Sequence, residues 1–142
     1  MYHFTIVENE KDLALAFSVR KKVFVEEQGV PEHVELDEHD NTSIHFIVKE
    51  EDQAIGAARL RKIEDTIGKV ERVCVLEKYR GKNLGLLIMQ KIEEYAKELD
   101  VKKLKLNAQS YAIPFYEKLH YTVTSPEFLD AGIPHRAMEK VI

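Results

Sequence analysis

One stretch, Glu71 to Gly85, constrains the fold of this chain more than any other. Glu71-Arg72-Val73-Cys74-Val75-Leu76 is rich in strand formers and runs into the polar segment Glu77-Lys78-Tyr79-Arg80-Gly81-Lys82-Asn83-Leu84-Gly85. Beyond it Leu87, Ile88, Ile92, Tyr95, Ala96 and Leu99 recur on one helical face, with Lys91, Glu93, Glu94, Lys97 and Glu98 largely on the other. Strand, tight polar turn and helix together make an anion-binding arrangement. The first N–H groups of a helix lack internal partners, and the helix dipole adds partial positive charge at the same end, so a diphosphate can lie there against backbone. Gly81 and Gly85 allow close approach, and Arg80 and Lys82 supply charge. On spacing alone, a plain polar turn before a surface helix is the better reading.

The rest of the chain is organised around this unit. Tyr2 to Val7 reads as a strand, and Leu13, Ala16, Phe17, Val23 and Phe24 follow at mostly helical spacing until Gly29-Val30-Pro31. Glu26 to Asp40 is polar, carries seven acids and reads as a long surface loop, a solvated one before one that draws in a cationic amine alongside His45. Ser43 to Glu50, Gln53 to Ile63 and Lys69 to Leu76 read as three sequential antiparallel strands. Lys103 to Ala108 alternates as a strand, and Ala112 to Leu119 forms a short helix that tolerates Pro114 only in its first turn. Tyr121 to Thr124 and Arg136 to Ile142 return to extended structure.

Length and charge narrow the functional classes. The 142 residues suit a single domain, 1–142, and contain no linker or repeat. The net charge of -4 is spread without a basic block, which sets nucleic acid low among partners. No apolar run reaches the roughly 20 residues of a membrane span. With a single cysteine and no leader-like N-terminus, the reading is a cytoplasmic protein. His33, Asp37, His39 and Asp40 match no zinc or calcium spacing, so no metal is expected.

Arg80 to Gly85 resembles the Arg/Gln-x-x-Gly-x-Gly/Ala signature of GNAT N-acetyltransferases, with Asn83 in place of the middle glycine. Asparagine enters left-handed conformations more readily than most residues. The order of strands and helices over nearly the whole chain is also that of this family. Arg20-x-x-Val23-Phe24-Val25-x-Glu27-Gln28, Glu35-x-Asp37, His45, Ala108-Gln109, Phe115-Tyr116 and Gly132-Ile133-x-His135 resemble its ElaA-like branch of small bacterial proteins. The resemblance implies an α/β GNAT fold: a mixed, mostly antiparallel sheet of six to seven strands, helices on both faces, and a splay between the fourth and fifth strands.

It also implies acetyl-CoA as cosubstrate and direct acetyl transfer to a primary amine of a small molecule or peptide, in a monomer or homodimer. Val73, Cys74 and Val75 would then line the pantetheine arm, with the backbone N–H near Val75 meeting the thioester carbonyl. Arg80, Gly81, Lys82, Asn83, Leu84 and Gly85 would hold the diphosphate. Gln109 stands near where relatives use asparagine to hold the cofactor. Tyr116 sits where many of these enzymes place the tyrosine that protonates the departing thiolate, although without the resemblance it reads as a core aromatic.

The base is open. The fifth-strand glutamate of some relatives falls on Leu104 here, leaving Glu71 and Glu27 as candidates, while Glu27, Gln28, His45 and Glu71 are the candidate acceptor residues. His120 reads as a turn residue and Cys74 as a buried strand residue. Two other readings stand beside the enzyme: a non-catalytic acyl-CoA sensor, and an acyltransferase related to acyl-homoserine lactone synthases, suggested by Arg20-x-x-Val23-Phe24 with Glu35-x-Asp37-x-x-Asp40.

Overall fold

A computed structural model describes residues 1–142. β1 (Tyr2–Ile6) leads into α1 (Glu10–Arg20), which Asn9 caps by accepting a 2.8 Å bond from the Asp12 N–H. α1 continues without a break into a wider π-helical turn, Lys21–Glu27, followed by α2 (Glu32–Glu35) and a 3₁₀ turn, Glu38–Asn41. Three antiparallel strands come next: β2 (Ile44–Glu50), β3 (Gln53–Glu64) and β4 (Ile67–Val75). α3 (Leu84–Glu98), β5 (Lys103–Gln109), α4 (Ile113–Lys118), β6 (Thr122–Val123), β7 (Phe128–Asp130) and β8 (Ile133–Val141) complete the chain.

The strands form one open sheet in the order β1-β2-β3-β4-β5-β8-β6, with β7 also on β8. Every pairing is antiparallel except β4 with β5. α3 packs Ile88, Met89, Ile92 and Ala96 on one face against Phe46, Ile55, Leu60 and Leu104. On the other face α1 and its π-helical extension bury Ala16, Val19 and Val23 against Ile47, Ala57 and Cys74. Each helix thus hides its apolar stripe on an opposite side of a sheet that is apolar on both.

The feature that opens the sheet is the short β4–β5 seam. Only Ile67 to Val70 pair with Lys103 to Leu106, and beyond that both strands continue apart. A bulge lies at the point of separation. Ala57 faces Cys74 and Arg59 faces Glu71, so Arg72 and Val73 together oppose Ala58, and Arg72 takes φ +60°. β4 therefore bends away with β3, while β5 stays with β8.

The sheet has eight strands, one more than the upper bound of six to seven read from the sequence. The addition is β7, a three-residue strand joined to β8 by the two-residue turn Ala131-Gly132, both at positive φ as type I′ geometry demands. Three residues are too few to display alternation, and Pro134 hides the start of β8, which begins at Ile133 rather than Arg136. Pro114 lies in the first turn of α4 and His120 takes φ +74° just beyond its end, as their sequence roles required.

Candidate active site

The splay holds a cavity of about 520 Å³ between the ends of β4 and β5, roofed by the π-helical turn and by α4. Its walls are mostly apolar. Of the expected cofactor residues, Val73, Cys74, Val75, Arg80, Gly81, Asn83, Leu84, Gly85 and Gln109 line it, as do Gln28 and Tyr116. Lys82 does not; its Nζ sits 6.0 Å over the Tyr79 ring.

Backbone geometry explains why the turn before α3 is built from these residues. Gly81 takes φ +80° and Asn83, the residue before the helix, takes φ +61°. Two left-handed residues in quick succession swing the chain so that α3 starts directly at the cavity. The Asn83 side chain caps nothing, which leaves the first N–H groups of the helix unclaimed by it. A Cβ on Gly81 would meet nothing within 4 Å, whereas one on Gly85 would come within 3.3 Å of Phe115 Cζ. Gly85 therefore permits the close approach of α4 to α3 as well as lining the cavity.

On the β4 side, Leu76 N–H donates to Ile55 O at 2.9 Å. Alternation along an antiparallel strand then points the Val75 N–H the other way, into the gap vacated by β5. Val75 O accepts from Arg80 Nε at 3.0 Å, fixing the guanidinium at the turn. The same guanidinium is gripped by Glu27 through bonds of 2.6 and 2.7 Å. That hydrogen bond holds the Glu27 carboxyl below its ordinary range.

Tyr116 lies on α4 with its ring edge-on to Phe115 and Tyr121. Burial pushes its phenol well above the ordinary range, so it stays protonated at any physiological pH. Cys74 is 6% exposed and burial pushes its thiol up to about 12, which leaves it a thiol rather than a nucleophilic thiolate.

Three expected acceptor residues do not line the cavity: Glu27, which is turned onto Arg80, His45 and Glu71. His45 is buried beneath Phe17 with Nε2 2.8 Å from Asp40 O. Glu71 bonds Arg59 at 2.8 Å and Arg61 at 3.1 Å; burial would raise its carboxyl, but the two guanidiniums outweigh this and hold it below the ordinary range. Neither glutamate offered as a base is poised for one. The acidic segment also proves not to be a solvated loop. Arg20 and Arg59, both at 0% exposure, bond Glu35, Asp37 and Asp40 at 2.7 to 3.0 Å, and Arg72 reaches Glu35 and Asp37 from the bulge. Its buried acids are neutralised by arginines and attract no cation. This ion-pair network gives Arg20, Glu35, Asp37 and Asp40 a structural account that needs no acyl-homoserine lactone chemistry.

A second, smaller cavity of about 80 Å³ adjoins the first, sharing Phe24, Gln28, Gln109 and His135 with it. It opens between α2, the bulge of β4 and the β7–β8 turn, where Glu35, Arg72 and Asp130 border it. Gln109 Nε2 donates to Gln28 Oε1 at 2.9 Å where the two spaces meet. Sequence reasoning missed Phe24, Tyr111 and His135 as lining residues. The wider π-helical turn, which sets Phe24 and Gln28 on the cavity, leaves no signature in hydrophobic spacing.

Residues 6–142 match the acetyltransferase (GNAT) domain family. The chain belongs to that family, and it is an N-acetyltransferase. It is 46% identical over 136 residues to YjcF of Bacillus subtilis, an uncharacterized N-acetyltransferase, with 95% of this chain and 96% of that one covered. Among solved structures, a Lactobacillus plantarum protein described as an N-acetyltransferase superposes with a TM-score of 0.93 at 27% identity, covering 99% of this chain and 97% of that one. Escherichia coli ElaA gives 0.88 at 23% identity over 99% of each chain. No helix is long and apolar enough to cross a membrane.

Proposed function

We propose that the chain, acting as one domain over residues 1–142, transfers the acetyl group of acetyl-CoA to a primary amine of a small molecule by direct attack. The observation that carries this is the pair of left-handed residues Gly81 and Asn83, which delivers the N-terminus of α3 to a largely apolar cavity in the β4–β5 splay. The diphosphate is held by the first N–H groups of α3 and by Arg80, which exchanges Glu27 for phosphate. The pantetheine arm runs along Val73, Cys74 and Val75, and Leu84 and Gln109 complete its walls. An aminoglycoside 6′-N-acetyltransferase of like fold (TM-score 0.76, 13% identity) was solved with coenzyme A, which supports the assignment of cosubstrate.

The Val75 N–H stabilises charge on the thioester oxygen, a donation worth several kcal/mol in comparable sites. As the amine nitrogen bonds to the carbonyl carbon, the C–S bond breaks and the thiolate takes its proton from Tyr116. The acceptor enters through the smaller cavity, where the Gln28–Gln109 pair and Asp130 meet its polar groups.

The test is calorimetric titration of the wild type and Arg80→Glu with acetyl-CoA, followed by a thiol-release screen over primary amines. Binding that the substitution abolishes supports the phosphate site, and thiol release separates an enzyme from a sensor. A folded wild type that does not bind acetyl-CoA overturns the reading.

A further inference from the structure

We infer that His135 is the general base that deprotonates the acceptor amine. The inference rests on the acetyl-transfer reading and fills the role that Glu27 and Glu71 vacate. His135 lies on β8 opposite Gln109 of β5 on one edge and opposite Phe128 of β7 on the other. It is 8% exposed and is one of four residues lining both cavities, so it stands where acceptor and thioester must meet.

Its ring is held in one orientation and one tautomer. Nδ1 lies 2.6 Å from the carbonyl oxygen of Ile133. A carbonyl only accepts, so Nδ1 carries the proton and, in the neutral ring, Nε2 holds the bare lone pair. Phe128 stacks on the ring at 6.1 Å and 20°, fixing its plane. Nε2 makes no hydrogen bond within the protein, yet it is not sealed: the one buried side-chain atom without a partner is Nδ1 of His45. An imidazole on the wall of both cavities, with its Nε2 lone pair free and its Nδ1 anchored, has the arrangement a base needs.

The other groups around it do not compete. Glu35 and Arg72 are paired with each other and with Arg20 and Asp37. Cys74 and Tyr116 stay protonated, and Arg80, whether bonded to Glu27 or to phosphate, is a guanidinium with no lone pair to offer. Tyr111 and Asp130 lie out on the rims of the two cavities.

The proton balance closes. Nε2 takes one proton from the ammonium form of the acceptor and passes it to solvent, and the neutral amine then attacks. The second amine proton leaves as the C–S bond breaks and replaces, through water, the one that Tyr116 gives to the thiolate. The net products are amide, free thiol and one proton released.

His135→Asn keeps a donor for the Ile133 carbonyl but removes the base. With acetyl-CoA and the fastest amine of the screen, kcat is expected to fall about 10²-fold with the acetyl-CoA Kd unchanged. The acid limb of the wild-type pH profile disappears in the variant. A weakly basic acceptor such as hydroxylamine, already neutral at pH 7, is spared. Long-range ¹H–¹⁵N spectra of the wild-type protein should show the His135 ring protonated at Nδ1. Retention of turnover within about three-fold, or of the acid limb, overturns the assignment, and so does a ring protonated at Nε2. The two failures are distinct: a wild type that turns over beside an equally active His135→Asn overturns the base alone. A wild type that releases no thiol with any amine overturns the transfer reading, and the base with it.

Discussion

Glu27 and Arg80 face each other through two bonds of 2.6 and 2.7 Å, a bidentate pair that ties the end of the π-helical turn to the loop preceding α3. The carboxylate occupies the fork that a phosphate would use, since both anions present two oxygens to the guanidinium in the same plane. Glu27→Gln is therefore expected to tighten acetyl-CoA binding several-fold, and Arg80→Ala to weaken it by a larger factor, both read by calorimetry. An unchanged Kd in Glu27→Gln would mean that the pair does not compete with the ligand.

Tyr116→Phe removes the phenolic proton while keeping the ring that packs against Phe115 and Tyr121. The expected result is a fall in kcat of about 10²-fold with little change in cofactor affinity. Equal turnover by the variant would assign protonation of the thiolate to solvent.

Cys74→Ala should keep turnover within a few-fold, and mass spectrometry of the wild type mixed with acetyl-CoA should show no acetylated protein. Burial that pushes the thiol up to about 12 leaves almost no thiolate at neutral pH to accept an acyl group. An acetyl adduct at Cys74 would replace direct attack with a two-step route.

Asp40 is placed to govern acid stability. Burial would raise its carboxyl, but Arg20 and Arg59 outweigh this and hold it far below its ordinary value of 3.8. A carboxyl depressed on folding stabilises the protein above its unfolded value and loses that contribution as pH falls through the folded one. Urea midpoints should thus be flat down to about pH 4 and decline below it. Asp40→Asn leaves two buried guanidiniums short of a counter-charge at a cost of about 3–5 kcal/mol, and its midpoint should depend less on acid.

Gly85→Ala tests the packing role of that glycine. The added methyl meets Phe115 at 3.3 Å and shifts α4, for an expected loss of about 1–3 kcal/mol in urea unfolding. A variant as stable as the wild type would mean that α4 does not need the glycine to pack there.

The turn from β4 into α3 was legible because its residue types carry local instructions: glycine and asparagine for left-handed backbone, then a helical apolar stripe. The ion network was not. Its partners stand far apart in the chain, Arg59 from Asp37 by 22 residues, and no periodicity links them, so an acidic run looked like solvated loop. His135 was visible as a letter in a familiar pattern, but its use depends on β8 lying between β5 and β7, and β7 is too short to announce itself. The count of strands failed for that same reason.

The seam of four residue pairs between β4 and β5 also decides where the molecule is open. Because the strands part beyond it, the wedge is bounded on one side by Arg80, Gly81 and Tyr111 and on the other by Val34, Asp130 and Ala131. On the proposed reading these would be two doorways to one room, and neither visitor would have to leave before the other could arrive.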